Sequence, residues 1–208
     1  MNIKKAELVG TYFNAGQLPA DVRPKILFFG RSNVGKSTLI NSLLERRLAK
    51  TSSTPGKTLS VNYYGVSLAP VAAPRKEAMT PARGFPAPGI IFADLPGYGY
   101  ARVSKGESVR VRRLIADFLA RAENVRLAVL LIDSRRGFLA SDLEVLAQIV
   151  EKNLPILTIL TKSDKISFSQ QRNLIAQLKN KFGLLAISFS IKSPPAKDEI
   201  WRRIQEAV

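Results

Sequence analysis

The 208-residue sequence contains no cysteine and no histidine. Disulfides, thiolate or imidazole zinc sites, Cys or His nucleophiles and Ser-His-Asp triads are therefore excluded, and any metal must be bound through oxygen. No apolar run approaches the roughly 18 to 20 residues that span a bilayer, and Met1 to Gly16 is polar and broken rather than signal-like. A cytoplasmic monomer with no membrane partner is expected. Acid is also scarce: 16 Asp and Glu stand against 32 Lys and Arg, giving a net charge of +16 and a pI near 10.4. Such an excess points to a polyanion such as nucleic acid, although a solvated surface produces the same count. With 46% hydrophobic residues, one domain over residues 1–208 can bury one sizeable core.

Short continuous apolar stretches at Ile26 to Phe29, Ile90 to Ala93, Leu127 to Ile132, Ile156 to Leu160 and Leu184 to Phe189 read as strands buried on both faces. Helical segments alternate with them. Leu39 with Leu43 and Ile40 with Leu44 lie at helical spacing after Gly35. Ser141-x-x-Glu144 and Ser167-x-x-Gln170 read as capping boxes, and a final helix after Ser193-Pro194 buries Ile200, Trp201 and Ile204. This alternation predicts an α/β fold: a doubly wound, mostly parallel six-stranded sheet of the P-loop NTPase type, with helices on both faces. Val61 to Val66 is expected to be its one antiparallel edge strand. The Pro- and Ala-rich segment Ala69 to Gly89 cannot pack a core and is expected to form a long mobile hairpin loop rather than a domain linker.

Gly30-Arg31-Ser32-Asn33-Val34-Gly35-Lys36-Ser37 matches G-x-x-x-x-G-K-S between a strand and a helix. Glycines let backbone N–H groups turn inward around a phosphate at the positive end of a helix dipole. Lys36 is placed to reach the β and γ phosphates and the Ser37 hydroxyl to ligate Mg2+. Asp94-Leu95-Pro96-Gly97 ends the next buried strand, where an acid can hold magnesium through water and Gly97 N–H can sense the γ phosphate. Alone, it would be only a turn. Thr161-Lys162-Ser163-Asp164 follows a further strand; its carboxylate can accept two hydrogen bonds from guanine that adenine does not offer. A helix-capping Asp is the plainer reading of that residue taken alone. The three elements in this order point to GTP and GDP.

Together these motifs resemble the TrmE-Era-EngA-EngB-septin class of translation GTPases, most closely its EngB family, over nearly the whole chain. The specific marks are Gln17-Leu18-Pro19, the phosphate loop, Thr54-Pro55-Gly56-Lys57-Thr58, the run Asp94 to Ala101, and Asp133-Ser134-Arg135-Arg136-Gly137. The resemblance implies that Thr58 closes over the γ phosphate and gives magnesium a second hydroxyl, with Gly56 and Lys57 on a mobile switch. The family's last guanine-contacting motif reads Phe189-Ser190-Ile191-Lys192 here, with Phe189 departing from the pattern and Ser190 able to serve through backbone N–H. Residues 69–89 also exceed the short hairpin found there in the family.

Positioning and charge neutralisation by Lys36, Ser37, Thr58 and magnesium account for most of phosphoryl transfer. Tyr98 stands where many signalling GTPases carry a water-orienting glutamine, so slow intrinsic hydrolysis, stimulated by a partner or by potassium, is expected. Asn33 is a candidate K+ ligand, or simply a residue that tolerates the loop geometry. The resemblance implies a switch in large ribosomal subunit assembly, acting on ribosomal RNA or a subunit precursor and needed for normal cell division. A P-loop nucleotide-dependent kinase and a division factor acting only on proteins are the alternatives. Arg102, Lys105, Arg110, Arg112, Arg113, Arg135 and Arg136 form the basic region near the second switch. With no aromatic RNA-stacking signature in the sequence, RNA contacts there would be to phosphate and shape.

Overall fold

The computed structural model describes residues 3–50, 60–68, 89–99, 105–192 and 194–208. Seven strands, β1 (Ile3–Tyr12), β2 (Lys25–Gly30), β3 (Val61–Leu68), β4 (Gly89–Asp94), β5 (Val125–Asp133), β6 (Ile156–Thr161) and β7 (Leu185–Ser188), form one sheet. Its order is β1-β3-β4-β2-β5-β6-β7. The last five strands in that order pair in parallel, while β3 is antiparallel to both β1 and β4. The helices are α1 (Lys36–Leu44), α2 (Lys105–Arg121), α3 (Ala140–Glu151), α4 (Phe168–Phe182) and α5 (Pro194–Ala207).

Every residue of β2 and β4 is buried, because these strands lie inside the sheet with helices on both faces. Alternation along β2 divides the core. Ile26 and Phe28 face one apolar cluster with α1 and α5, while Leu27 and Phe29 face the other with α2 and α3. Trp201 fills the first cluster: its ring lies 5.4 Å from that of Phe92 and its indole N–H donates to the Leu43 carbonyl at 3.2 Å. Ile200 and Ile204 are fully buried beside it, as their spacing predicts. No helix among the described residues is long and apolar enough to cross a membrane.

Among the described residues the sheet has seven strands rather than six, and Val61–Leu68 is not its edge. The added strand, β1, covers it. β1 has one fully buried residue, Ala6, so it shows no apolar run; it is held by its ladder with β3. The Ser167 box is present, with Gln170 N–H donating to Ser167 Oγ at 3.2 Å and Ser167 N–H to Gln170 Oε1 at 2.8 Å. Ser141 lies inside α3 rather than capping it: the N-cap is Leu139, two residues earlier, whose N–H is bonded to the Asp142 carboxylate at 2.9 Å. Most of the 69–89 loop, and the Thr54 to Thr58 run, lie outside the described residues.

Candidate functional site

The carboxyl ends of β2, β4, β5 and β6 converge where the chain leaves β2 with a parallel neighbour on each side, the crevice where open α/β sheets bind ligands. β2 delivers Gly30, where a Cβ would come within 2.7 Å of Val34 Cγ1 and 3.1 Å of Leu131. The loop then turns through left-handed backbone at Asn33 (φ 62°) and at Gly35 (φ 107°), the N-cap of α1. No side chain caps that helix, so its first N–H groups can serve an anion. Val34 is buried and its carbonyl accepts the Thr161 hydroxyl at 2.6 Å, which ties the loop to the end of β6.

Lys36 leaves the first turn of α1 and its ammonium donates to the Asp94 carboxylate at the end of β4, both side chains being nearly buried. Opposite charges are thereby neutralised where a triphosphate and a divalent cation would otherwise supply the counter-charges. Ser37 follows Lys36 in the same turn of α1. Among the described residues no three acidic side chains cluster to hold a metal. The donor types present, a hydroxyl in the first turn of α1 and the Asp94 carboxylate that pairs with the neighbouring Lys36, fit magnesium, which keeps several waters and shares phosphate oxygens.

Beyond Asp94 the chain continues parallel to the phosphate loop, with Arg31 and Tyr98 paired. Leu95 N–H donates to Phe28 O at 3.2 Å, Ser32 N–H to Tyr98 O at 2.9 Å, and Tyr98 N–H to Gly30 O at 3.4 Å. The Ser32 hydroxyl donates to Gly97 O at 3.3 Å and Arg31 Nη2 to Gly99 O at 2.7 Å. Gly97 permits this approach, since a Cβ there would sit 3.0 Å from Ser32 Cα. Tyr98 is buried and turned toward α3, where its hydroxyl donates to Asp142 Oδ1 at 3.0 Å. Burial, reinforced by the Asp142 charge, raises the Tyr98 phenol well above its ordinary value. Tyr98 is therefore an anchor between two segments, its hydroxyl committed to Asp142.

At the other end, Lys162 (φ 56°) sends its ammonium to Asn33 O at 2.6 Å and to Asp133 Oδ2 at 2.8 Å. Asp133 also accepts from Arg135 through N, Nε and Nη2 at 3.1, 2.9 and 2.7 Å. Burial opposes its charge, but the bonds from Arg135 and Lys162 outweigh burial and hold Asp133 far below the ordinary carboxylate range. Asp164 is exposed, and the Ser190 hydroxyl donates to its Oδ1 at 3.0 Å, the main reason it too lies below the ordinary range. It stands ionised, with its other oxygen near the Lys165 ammonium at 3.5 Å.

The structure thus brings together Gly30 to Ser37, Asp94 to Gly97, Thr161 to Asp164 and Ser190. Phe189 does not join them as a guanine contact. Its ring lies in the core, its N–H is spent on Leu160 O at 2.8 Å and its carbonyl on Ser163 N at 3.3 Å, so the departure at this position is a packing residue. Ile191, by contrast, is 70% exposed beside Ser190. Gly56, Lys57 and Thr58 lie outside the described residues. Sequence reasoning assigned no role to Asp133 or Asp142; an acid ending the apolar run Leu127 to Ile132 was the available signal for Asp133.

Of the basic residues near the second switch, Arg135 is held by Asp133, Arg112 by Glu144 at 3.0 Å and Arg113 by Asp117 at 3.7 Å. Arg110 and Arg136 are exposed, while Arg102 and the Lys105 side chain lie outside the described residues.

The pattern of the family described as "50S ribosome-binding GTPase" matches residues 25–162. The "Probable GTP-binding protein EngB" of Kosmotoga olearia is 38% identical over 204 residues, covering 96% of this chain and 97% of the relative. A solved structure of a probable GTP-binding protein engB superposes with a TM-score of 0.64 at 26% identity, over 88% of this chain and 98% of that one. Era in complex with MgGDPNP and nucleotides 1506-1542 of 16S ribosomal RNA superposes with a TM-score of 0.65 at 26% identity, over 88% of this chain and 56% of Era.

Proposed function

Because the chain belongs to the EngB family of GTP-binding, GTP-hydrolysing proteins, we propose that it is a switch in large ribosomal subunit assembly, needed for normal cell division. Residues 1–208 work as a single cytoplasmic G domain whose partner is ribosomal RNA or a subunit precursor. The supporting observations are the net charge of +16, the family description naming the 50S ribosome, and the RNA bound by Era. Arg110 and Arg136 are exposed and can meet RNA phosphates, and coupling of the γ phosphate to that contact through the chain after Gly97 is part of the proposal.

In this reading the N–H groups of residues 30–37 and Lys36 hold the phosphates, and Asp164, oriented by Ser190, accepts the guanine N1–H and amino protons. Ser37 and Thr58 would hold magnesium directly and Asp94 through water; the ion supplies charge neutralisation in phosphoryl transfer. Lys36 must leave Asp94 to meet the phosphates, and Asp94 is then free for the metal's water. Lys162, clamped by Asp133 and Asn33 O, lines the guanine end. With Tyr98 committed to Asp142, the chain presents no glutamine after Gly97, and hydrolysis is slow until a partner or K+ assists. The exposed Asn33 side chain is the proposed K+ ligand, and equal turnover in sodium and potassium would contradict it.

The pairing of Lys36 with Asp94 under an uncapped helix N-terminus carries the enzymatic part of this reading. Sedimentation with ribosomal subunits under GDP, a non-hydrolysable GTP analogue or no nucleotide tests the cellular part. Nucleotide-dependent association with the large subunit is expected. Its absence under all three conditions would favour a division factor acting only on proteins.

A further inference from the structure

α4 differs from the rest of the surface in what it exposes. Its 15 residues bury one side chain completely, Leu178, and include none of the chain's 16 acids. It carries Arg172, Lys179 and Lys181, with Gln or Asn at five further positions. Among the described residues no carboxylate pairs with any of these three cations, whereas the arginines of α5 are bound to Glu199 and Glu206. At the first turn Phe168 is 74% exposed. With 3.6 residues per turn, Phe168, Arg172 and Lys179 lie within about 40° of one another around the axis.

A ring set among unpaired cations suits one kind of partner. A protein surface would bury such a ring in a contiguous apolar patch, but apart from Ala176 and, at the far end, Phe182, the exposed residues of α4 around it are polar or cationic, and Ile175 on this face packs inward against the core. Unpaired nucleic acid offers base faces for stacking and phosphates for the flanking cations. We infer that the Phe168–Arg172–Lys179 face of α4 is a docking surface for unpaired RNA, with Phe168 stacked on a base and the two cations on neighbouring phosphates. This deepens the ribosome-assembly reading and rests on it. It also replaces contacts limited to phosphate and shape by one that discriminates unpaired from paired RNA.

The placement has a further consequence. Gln171 Nε2 donates to Ser163 O at 2.9 Å, and the Ser167 cap starts the helix three residues after Asp164. α4 is thus braced against the guanine end of the site, whose contacts GTP and GDP share, and RNA held here is retained in both nucleotide states.

Fluorescence anisotropy with the full chain and labelled RNA, one unpaired strand and one duplex of about 12 nucleotides, tests the surface. Phe168→Ala is expected to weaken binding of the unpaired strand roughly tenfold and to leave duplex binding nearly unchanged. Arg172→Gln with Lys179→Gln should reduce the salt slope for the single strand by about 1.4, the contribution of two phosphate contacts. Both variants should keep wild-type affinity for fluorescent GDP, and the RNA effects should be equal with GDP and a GTP analogue. If wild type and variants bind RNA equally, the α4 surface is overturned while the ribosome reading stands. If wild-type protein binds neither RNA at low salt and takes an acidic peptide on α4 instead, both are overturned.

Discussion

Replacing Tyr98 by Phe removes one oxygen from a place that water does not reach. Tyr98 is 4% exposed and Asp142 is 1% exposed, and among the described residues the Tyr98 hydroxyl is the one side-chain hydrogen-bond donor to Asp142. A hydrogen bond to a buried charge contributes about 1.5–3 kcal/mol, so Tyr98→Phe should destabilise the fold by that amount at neutral pH. For a domain of this size the melting temperature should fall by roughly 3–12 °C. The effect should also depend on pH. Burial raises the Asp142 carboxyl above its ordinary value, against the opposing pull of the Leu139 N–H and the Tyr98 hydroxyl. A carboxylate raised in the folded state costs stability when ionised. That cost is absent below about pH 3.9, where folded and unfolded chains both hold the proton, and complete above the folded value. Loss of the hydroxyl raises the folded value further, so the difference between variant and wild type should shrink as the pH falls toward 4. Thermal melts of both proteins at about pH 7.5 and pH 4.5 measure it. A neutral-pH loss below about 0.5 kcal/mol, or an equal loss at both pH values, would refute the assignment of Tyr98 as an anchor on ionised Asp142.

Asp164→Asn should weaken GTP binding and favour xanthosine triphosphate, whose 2-oxo group accepts where guanine donates; competition binding reads the ratio. Asp133→Asn leaves Lys162 without its carboxylate partner, and nucleotide affinity should drop by about tenfold, or 1.4 kcal/mol, in a fluorescent-GDP titration. Because Asp133 is depressed, its stabilisation is present above about pH 4 and lost as acid titrates it, so this variant should show a shallower acid limb in stability against pH. Gly97→Ala puts a Cβ 3.0 Å from Ser32 Cα, and the displaced phosphate loop should cost about 1–3 kcal/mol in unfolding and weaken nucleotide binding in the same titration.

What the sequence made legible follows from burial. β2, β4, β5 and β6 lie inside the sheet, so their buried residues are mostly apolar, in runs such as Ile26 to Phe29 and Leu127 to Ile132, and motifs of fixed spacing follow β2, β4 and β6. β1 was hidden because its stability comes from pairing with β3, and a half-exposed strand such as Lys4-Lys5-Ala6-Glu7 leaves no apolar run. The start of α3 was misplaced because Asp142 competes with Ser141 for the capping role and wins through the Leu139 N–H. Phe189 looked like a defect in a guanine motif. Its contacts place it in the core, and the side chain that reaches Asp164 is that of Ser190. The Asp133–Lys162 clamp joins residues far apart in sequence, and in-register pairing of β5 with β6 brings them together.

Titration calorimetry of the purified protein with guanosine and adenosine di- and triphosphates in magnesium tests the central claim most directly. Saturable binding of GDP and GTP with no measurable heat from ADP or ATP is predicted, with the guanosine preference lost in Asp164→Asn. Equal affinity for the two purines in wild-type protein would contradict a site in which one carboxylate selects the base.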